Sequence, residues 1–453
     1  MPDIAKLSLE HNPDIFTIIC CNESFQLALD HNTVKTLLRV CRRAEPLLSS
    51  KLDRFYIWYQ ADKGNAAASY LLAWKASFSL YGWRSVGPSE RVAIQQEIFY
   101  RMEKAAEADH FMAQFQLAEC YRSGVGTNQD HTKAAELYRS LAERGILQAQ
   151  IALGRCYENG EGVDQDYTTA IGWYSKAANQ GSDDGRLHMV FLRGWFSFIV
   201  HGVEQSDVDA FNHWQQVSTH STNPVIKPIA THMLGWMHYF GRGTERDEQK
   251  GVEIIRENKP DGFELEEGVL IGYVASSNSP ASRKFFNLCL LGSDREWLCR
   301  HLMALCLTCG FGTLKDQEKA ASIFEQLANE GHSDSQYWIG SFYYDQGVSK
   351  SCEKGFEWYS KSADQGHSYG QYMVGCCYFY GNGVTQDYAK AAEWYRESAE
   401  QGNRYGQYHL GDCYKNGHGV PEDIETAAFW YRRSADQGWQ DAINQLKMLG
   451  KWP

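Results

Sequence analysis

The chain repeats itself every 36 residues, and that period constrains its fold more than any other feature. The string SADQG closes at Gly366 and again at Gly438, with SAEQG closing between them at Gly402. Upstream, LAERG ends at Gly145 and KAANQG at Gly181, again 36 residues apart, and the same offset links Cys120 to Cys156 and Cys377 to Cys413. A fixed period of this length belongs to a solenoid, in which each unit buries its apolar face against its neighbours. A division of 453 residues into roughly three independent domains therefore gives way to an array.

The unit at 367–402 shows what is repeated. Its first half sets Gly370, Val374, Gly375 and Tyr378 at helical spacing and stops at Gly381–Asn382–Gly383. Its second half sets Ala391, Trp394, Tyr395 and Ala399 at similar spacing and ends in Gln401–Gly402. The pattern predicts two amphipathic helices joined by a glycine turn, with one turn residue at positive φ. Small residues on the first helix let the second pack close, and the Trp-Tyr pair fills the wedge between units. Gly181 to Gly331 leaves room for four worn units with six residues over, one of them carrying Leu234–Asp247. Ile57–Gly64 reads as the end of an earlier second helix, so about ten units run from near residue 50 to 438 between atypical ends.

The pattern resembles the Sel-one-like repeat, a relative of the tetratricopeptide repeat. In 146–181 its carriers are Ala149, Leu153, Gly154, Tyr157, Gly160, Gly162, Val163, Asp166, Ala170, Trp173, Tyr174, Ala177, Ala178 and Gly181. Units 367–402 and 403–438 match as well, 112–145 and 332–366 somewhat less, and clear or worn copies cover about 85% of the chain. The resemblance implies an all-α, right-handed α/α superhelical solenoid whose first helices line the concave surface. It further implies a non-enzymatic adaptor or scaffold that binds a protein or peptide there. Some secreted relatives bond two cysteines per repeat; this chain usually has one per clear unit.

Composition narrows the partner. A net charge of −12 disfavours nucleic acid and anionic membranes. No apolar run approaches the roughly 18 residues of a membrane span. The opening MPDIAKLSLEHNPDIF lacks the apolar core of a secretory signal. We therefore expect a cytoplasmic chain whose 13 cysteines are thiols. Aromatic residues at 13% point to a large packed core.

No catalytic constellation emerges, and we expect no cofactor, metal or small-molecule substrate. Cys299, His301, Cys306 and Cys309 invite a zinc reading, but Cys306 falls in the register of Cys120, Cys156, Cys377 and Cys413, a small buried site, and a second CxxC is missing. The turns Gly381–Val384 and Gly417–Val420 lack the Lys-Ser/Thr of a phosphate loop. HExxH and GxSxG are absent, and Glu264, Glu266 and Glu267 read as a solvated face.

Framework columns hold steady between units, while three first-helix columns change chemistry. One runs Gln116, Ala152, Trp338, Met373, His409; the next Glu119, Arg155, Ser341, Cys376, Asp412; the third Ser123, Asn159, Asp345, Tyr380, Asn416. Their spacing puts them on one helix face, and free variation suggests exposure. The expected partner site is therefore Trp338, Ser341, Asp345, Met373, Cys376, Tyr380, His409, Asp412 and Asn416, with Glu119 and Arg155 further upstream. Ordinary surface positions or contacts to the adjacent unit are the alternative. The worn stretch 182–300, with apparent insertions at Gln205–Pro228 and Asn258–Glu267, is an interface, a hinge or drift.

The expected organisation is a helical cap at 1–50, where Phe25–Leu48 reads as amphipathic, divergent repeats at 51–111, and two clear repeats at 112–181. Divergent repeats follow at 182–295, four repeats at 296–438 and a capping segment at 439–453. A bacterial effector or toxin-neutralising repeat protein is the alternative function, and a metal-binding or enzymatic role hidden in the divergent middle the next.

Overall fold

A computed structural model describes residues 69–70, 73, 87–199, 206–258, 263, 277–346 and 351–452. The expected N-terminal cap, Ile57–Gly64 and most of Asn258–Glu267 lie outside them. Among the described residues the architecture is all-α: nineteen α-helices packed in sequence as helix–turn–helix pairs. Two compact units divide between Leu192 and Arg193. The first holds α1 (Pro88–Glu107), α2 (Phe111–Ser123), α3 (His131–Glu143), α4 (Leu147–Asn159), α5 (Tyr167–Asn179) and the start of α6 (Asp183–Ile199). The second continues with α7 (Asp207–His220), α8 (Ile226–Phe240), α9 (Glu248–Glu257), α10 (Pro280–Gly292), α11 (Trp297–Cys309) and α12 (Gln317–Asn329). It ends with α13 (Ser333–Ser341), α14 (Cys352–Asp364), α15 (Ser368–Tyr380), α16 (Tyr388–Glu400), α17 (Arg404–Asn416), α18 (Ile424–Asp436) and α19 (Gln440–Met448).

Each pair is punctuated by its own side chains. α15 begins where the His367 ring accepts the Gly370 N–H, and ends at Gly381, whose φ of 71° turns its N–H back to the Cys377 carbonyl. Asp387 then caps α16 by accepting from the Lys390 N–H. The second turn glycine has a different task. A Cβ on Gly383 would stand 2.2 Å from the Cys352 carbonyl oxygen, so the turn rests directly on the start of the preceding second helix. Gly162 on His131, Gly312 on Ser282 and Gly419 on Tyr388 repeat this approach at 2.0–2.1 Å. α13 departs from the pattern and runs on into a π turn at Phe342–Gln346.

Within a pair, the close contact is glycine on tyrosine. A Cβ on Gly154, Gly340, Gly375 or Gly411 would come within 2.6–2.8 Å of the ring of Tyr174, Tyr359, Tyr395 or Tyr431. Of the expected Trp-Tyr pair, only the tyrosine is fully buried. The tryptophan is half-buried and carries a cation three residues on: Lys176 lies 3.7 Å from the centre of Trp173 and Lys361 3.9 Å from that of Trp358.

Amides and rings stitch unit to unit. Gln437 donates to Gln407 at 2.9 Å, and Gln407 donates to the Ala399 carbonyl at 3.2 Å, near the end of the preceding second helix. Gln365–Gln336–Ala328 and Gln180–Gln150–Ala142 repeat that relay. An aromatic file runs from the buried Tyr337, Tyr369 and Tyr405 to the half-buried Trp439, with ring centres 6.2, 6.2 and 4.9 Å apart.

The worn middle is tightly tied where it is described. The apparent insertion at Gln205–Pro228 is mostly helix α7, capped by Ser206. Its turn signature had faded, so the spacing looked like an insertion. Arg242 forks to Asp207 at 2.8 and 3.0 Å and to Glu296 at 2.9 and 3.2 Å, and lies 4.2 Å from the centre of the Phe198 ring. Trp195 donates across to the Leu288 carbonyl at 3.1 Å. His232 is boxed by Trp236, Phe263 and Phe285.

The two glycine classes should respond differently. Gly366 has positive φ but nothing within 4 Å of its missing Cβ, so Gly366→Ala should cost only the left-handed backbone term, about 1–2 kcal/mol. Gly383→Ala adds a backbone clash and should cost roughly 1–3 kcal/mol more. Urea unfolding of the two variants side by side checks this; equal losses would contradict the stacking contact.

Candidate functional site

The middle variable column is a set of hydrogen-bond acceptors. Glu119 accepts from the Tyr138 hydroxyl at 2.5 Å, Ser341 from Tyr359 at 3.1 Å, the Cys376 sulfur from Tyr395 at 3.5 Å and Asp412 from Tyr431 at 2.6 Å. Each buried second-helix tyrosine needs an acceptor on the facing helix. Glu, Ser, Cys and Asp all qualify. Arg155 has no acceptor; it turns outward to Asp184 at 2.9 Å, and Tyr174 donates instead to Glu158, one turn on, at 2.7 Å. Variation here marks a tolerant bond, so the expectation of a uniformly exposed face is corrected for this column.

The first column fails in a different way. Trp338 is only 2% exposed and stacks on Phe324 at 5.5 Å with the planes 11° apart, so it belongs to the core. Its size, which made it attractive as an anchor, is what fills the space between α12 and α13. Met373 is half-buried. The His409 side chain is 25% exposed, its ring set among Tyr372, Tyr395 and Tyr408 at 5.2–5.4 Å. Burial pushes its pKa down to about 4. Asp412, 4.0 Å from it and 24% exposed, is pushed up by burial, against the lowering effect of the Tyr431 hydroxyl.

The third column meets solvent. Tyr380 is 58% exposed, and Asn416 is exposed while donating to the Asp412 carbonyl at 2.9 Å. The Asp345 side chain lies outside the described residues. Tyr380 packs edge-on to Phe379, which in turn meets Tyr388 and His418 at 5.1 and 5.4 Å. An accessible aromatic cluster thus sits at the turn end of α15.

One constellation was missed by the sequence reading. Ser362, His367 and Asp334 converge: the serine Oγ lies 3.0 Å from His367 Nδ1, and His367 Nε2 lies 3.2 Å from Asp334 Oδ1. The residues match a hydrolytic triad, but the bonds are structural. Nδ1 already accepts the Gly370 N–H at 3.1 Å, and the Ser362 hydroxyl donates to the Ser333 carbonyl at 2.8 Å. Ser398 and Ser434 make the same carbonyl bond in units that have no such histidine. Burial would raise the Asp334 pKa, but the His367 ring and its hydrogen bond hold it below the ordinary carboxylate value.

The cysteine column behaves as expected for packing. Cys120, Cys156, Cys306, Cys377 and Cys413 are all buried, and burial pushes Cys156, Cys377 and Cys413 up to about 12, far from a reactive thiolate. His301 bonds Ser335 at 2.9 Å, and Cys309 donates to the Leu305 carbonyl at 3.3 Å. Among the described residues, no three His, Cys, Asp or Glu side chains gather as metal ligands, and no helix is long and apolar enough to cross a membrane.

Seven segments match the Sel1 repeat: 111–146, 147–182, 228–254, 298–332, 333–367, 368–403 and 404–439, together just over half of the sequence. The chain belongs to the Sel1 repeat family. Similar solved structures include a protective antigen of uropathogenic Escherichia coli with an SLR fold, 24% identical over 88% of this chain and 85% of that one, with a TM-score of 0.38. A Sel1 repeat protein from Oxalobacter formigenes is 23% identical over 89% and 92%, with a TM-score of 0.31. An immunity protein from Pseudomonas aeruginosa is 16% identical over 72% and 81%, with a TM-score of 0.21. No curated protein matches the chain.

Two predictions follow from the burial of these side chains. Trp338→Ala should destabilise its unit by about 3–5 kcal/mol, visible as an earlier helical melt; an unchanged melt would place the ring outside the core. Burial also depresses His232 to about 3 and His301 and His409 to about 4, below the ordinary 6.5. The unfolded chain then takes up protons first as pH falls, so this stability is complete above about 6.5 and is lost toward 4. Thermal midpoints should drop between pH 7 and 5, less steeply in His409→Phe. A flat profile would mean these rings are solvated.

Proposed function

We propose that this chain is a non-catalytic scaffold that binds a protein or peptide along the exposed third column of its C-terminal repeats, with Tyr380 as anchor. The observation that carries this reading is Tyr380, at 58% the most exposed tyrosine among the described residues. Exposed aromatics of this kind dominate binding energy at protein interfaces. Asn416 extends the surface to the next unit, while Met373, His409 and Asp412 form its half-buried floor. The structural role of Ser362–His367–Asp334 supports a protein that holds rather than converts its partner. The single buried thiols of the cysteine column support a reducing, cytoplasmic setting.

The test is affinity capture with the full chain beside Tyr380→Ala/Asn416→Ala. We expect a protein enriched by the wild type and reduced at least tenfold by the double variant, with helical circular dichroism and melting unchanged. Equal recovery by both would exclude this face, and the absence of any enriched protein would count against a scaffold role.

A further inference from the structure

Stacked repeats touch their neighbours, and one crossing inside the second unit reaches past several of them. The Arg256 guanidinium on α9 donates from Nη1 to the Gln437 carbonyl, 181 residues further on, at 3.3 Å. Gln249, two turns earlier on α9, lies against Gly402, where a Cβ would stand 3.2 Å from its Oε1. Between these touches runs a narrow cleft, open to solvent, with Tyr239, Val252, Ser368, Asn403 and Arg404 in its walls. The second unit therefore curls until α9 meets the turns that follow α16 and α18.

The quality of this crossing differs from that of the stack. Consecutive pairs interlock through glycines pressed onto backbone, as at Gly419 on Tyr388. The crossing sets polar groups beside Tyr239, Val252 and Tyr369 around a cleft open to solvent. Gln437 is its node: the carbonyl accepts from Arg256 and, at 3.4 Å, from Arg404, while the side chain donates to the Gly402 carbonyl at 2.8 Å. The two guanidinium bonds to this carbonyl, at 3.3 and 3.4 Å, are long for their kind, and they can part without unpacking a helix pair.

We propose that α9 is a latch. The second unit closes on itself through Arg256–Gln437 and Gln249–Gly402, and it opens there by small rotations spread over the intervening pairs, which stay folded. Opening widens the cleft and bares Ser368, Asn403 and Arg404; closing hides them.

The test places nitroxides on ketone-bearing side chains introduced at Glu253 and Asp436, both exposed, in the full chain, and reads their separation by pulsed electron resonance. The wild type should give one short distance. Arg256→Met, which keeps the stem and removes the donor, should shift much of the population to longer distances at unchanged helical circular dichroism. Arg256→Lys should remain closer to wild type, and Glu257→Ala should match it. An unchanged distribution in Arg256→Met would overturn the latch. So would a longer distance accompanied by loss of helix, because that marks unfolding of α9 rather than release.

Discussion

The array depends on one close approach, repeated at Gly162, Gly243, Gly312, Gly383 and Gly419: the second glycine of a turn resting on the backbone at the start of the preceding second helix. At 2.0–2.2 Å from carbonyl oxygen to a would-be Cβ, Gly162, Gly312, Gly383 and Gly419 leave no room for a side chain. This contact sets the distance between successive units, and the other links work at the spacing it fixes. The glutamine relays reach their carbonyls and the rings from Tyr337 to Trp439 meet edge or face because the backbones have already come together. The contact is made by main chain alone, so it survives wide change in every other position. This explains how worn units such as the one at Gly241–Gly243 keep their place, with Gly243 on the Asp207 carbonyl.

The fold was legible because the period records backbone requirements. Gly381 and Gly383 announce a turn with positive φ, Asp387 a helix start, and Cys377 and Cys413 a small buried slot; all are local or strictly periodic. The candidate site was less legible. Free variation at Glu119, Ser341, Cys376 and Asp412 suggested exposure, whereas what is kept there is the ability to accept a hydrogen bond. The offset of 19 residues to Tyr138, Tyr395 and Tyr431 held that information. Trp338 misled for a related reason: a large ring in a column of mixed size was filling a larger local gap. Tyr380 and Asn416 kept their expected exposure.

Other features lay beyond pattern reading. Ser362, His367 and Asp334 come from two successive units and meet only when those units stack, and Arg242 joins carboxylates 35 residues before it and 54 after it. The half-buried, doubly paired Arg242 also shows why faded repeats need not be loose. Where the repeated contacts weaken, side-chain links particular to this chain take over their work.

The glutamine relays carry a sense of direction. In each, an amide of one unit satisfies a carbonyl near the end of the second helix of the unit before it, as Gln407 does for Ala399 and Gln150 for Ala142. In these relays the side-chain donor to a helix end comes from the unit that follows it. Removing a unit from the leading end takes away its own dependencies. Removing one from the trailing end strips a side-chain donor from the helix before it and leaves only the backbone bonds of its turn, so the two ends of such an array are not equivalent.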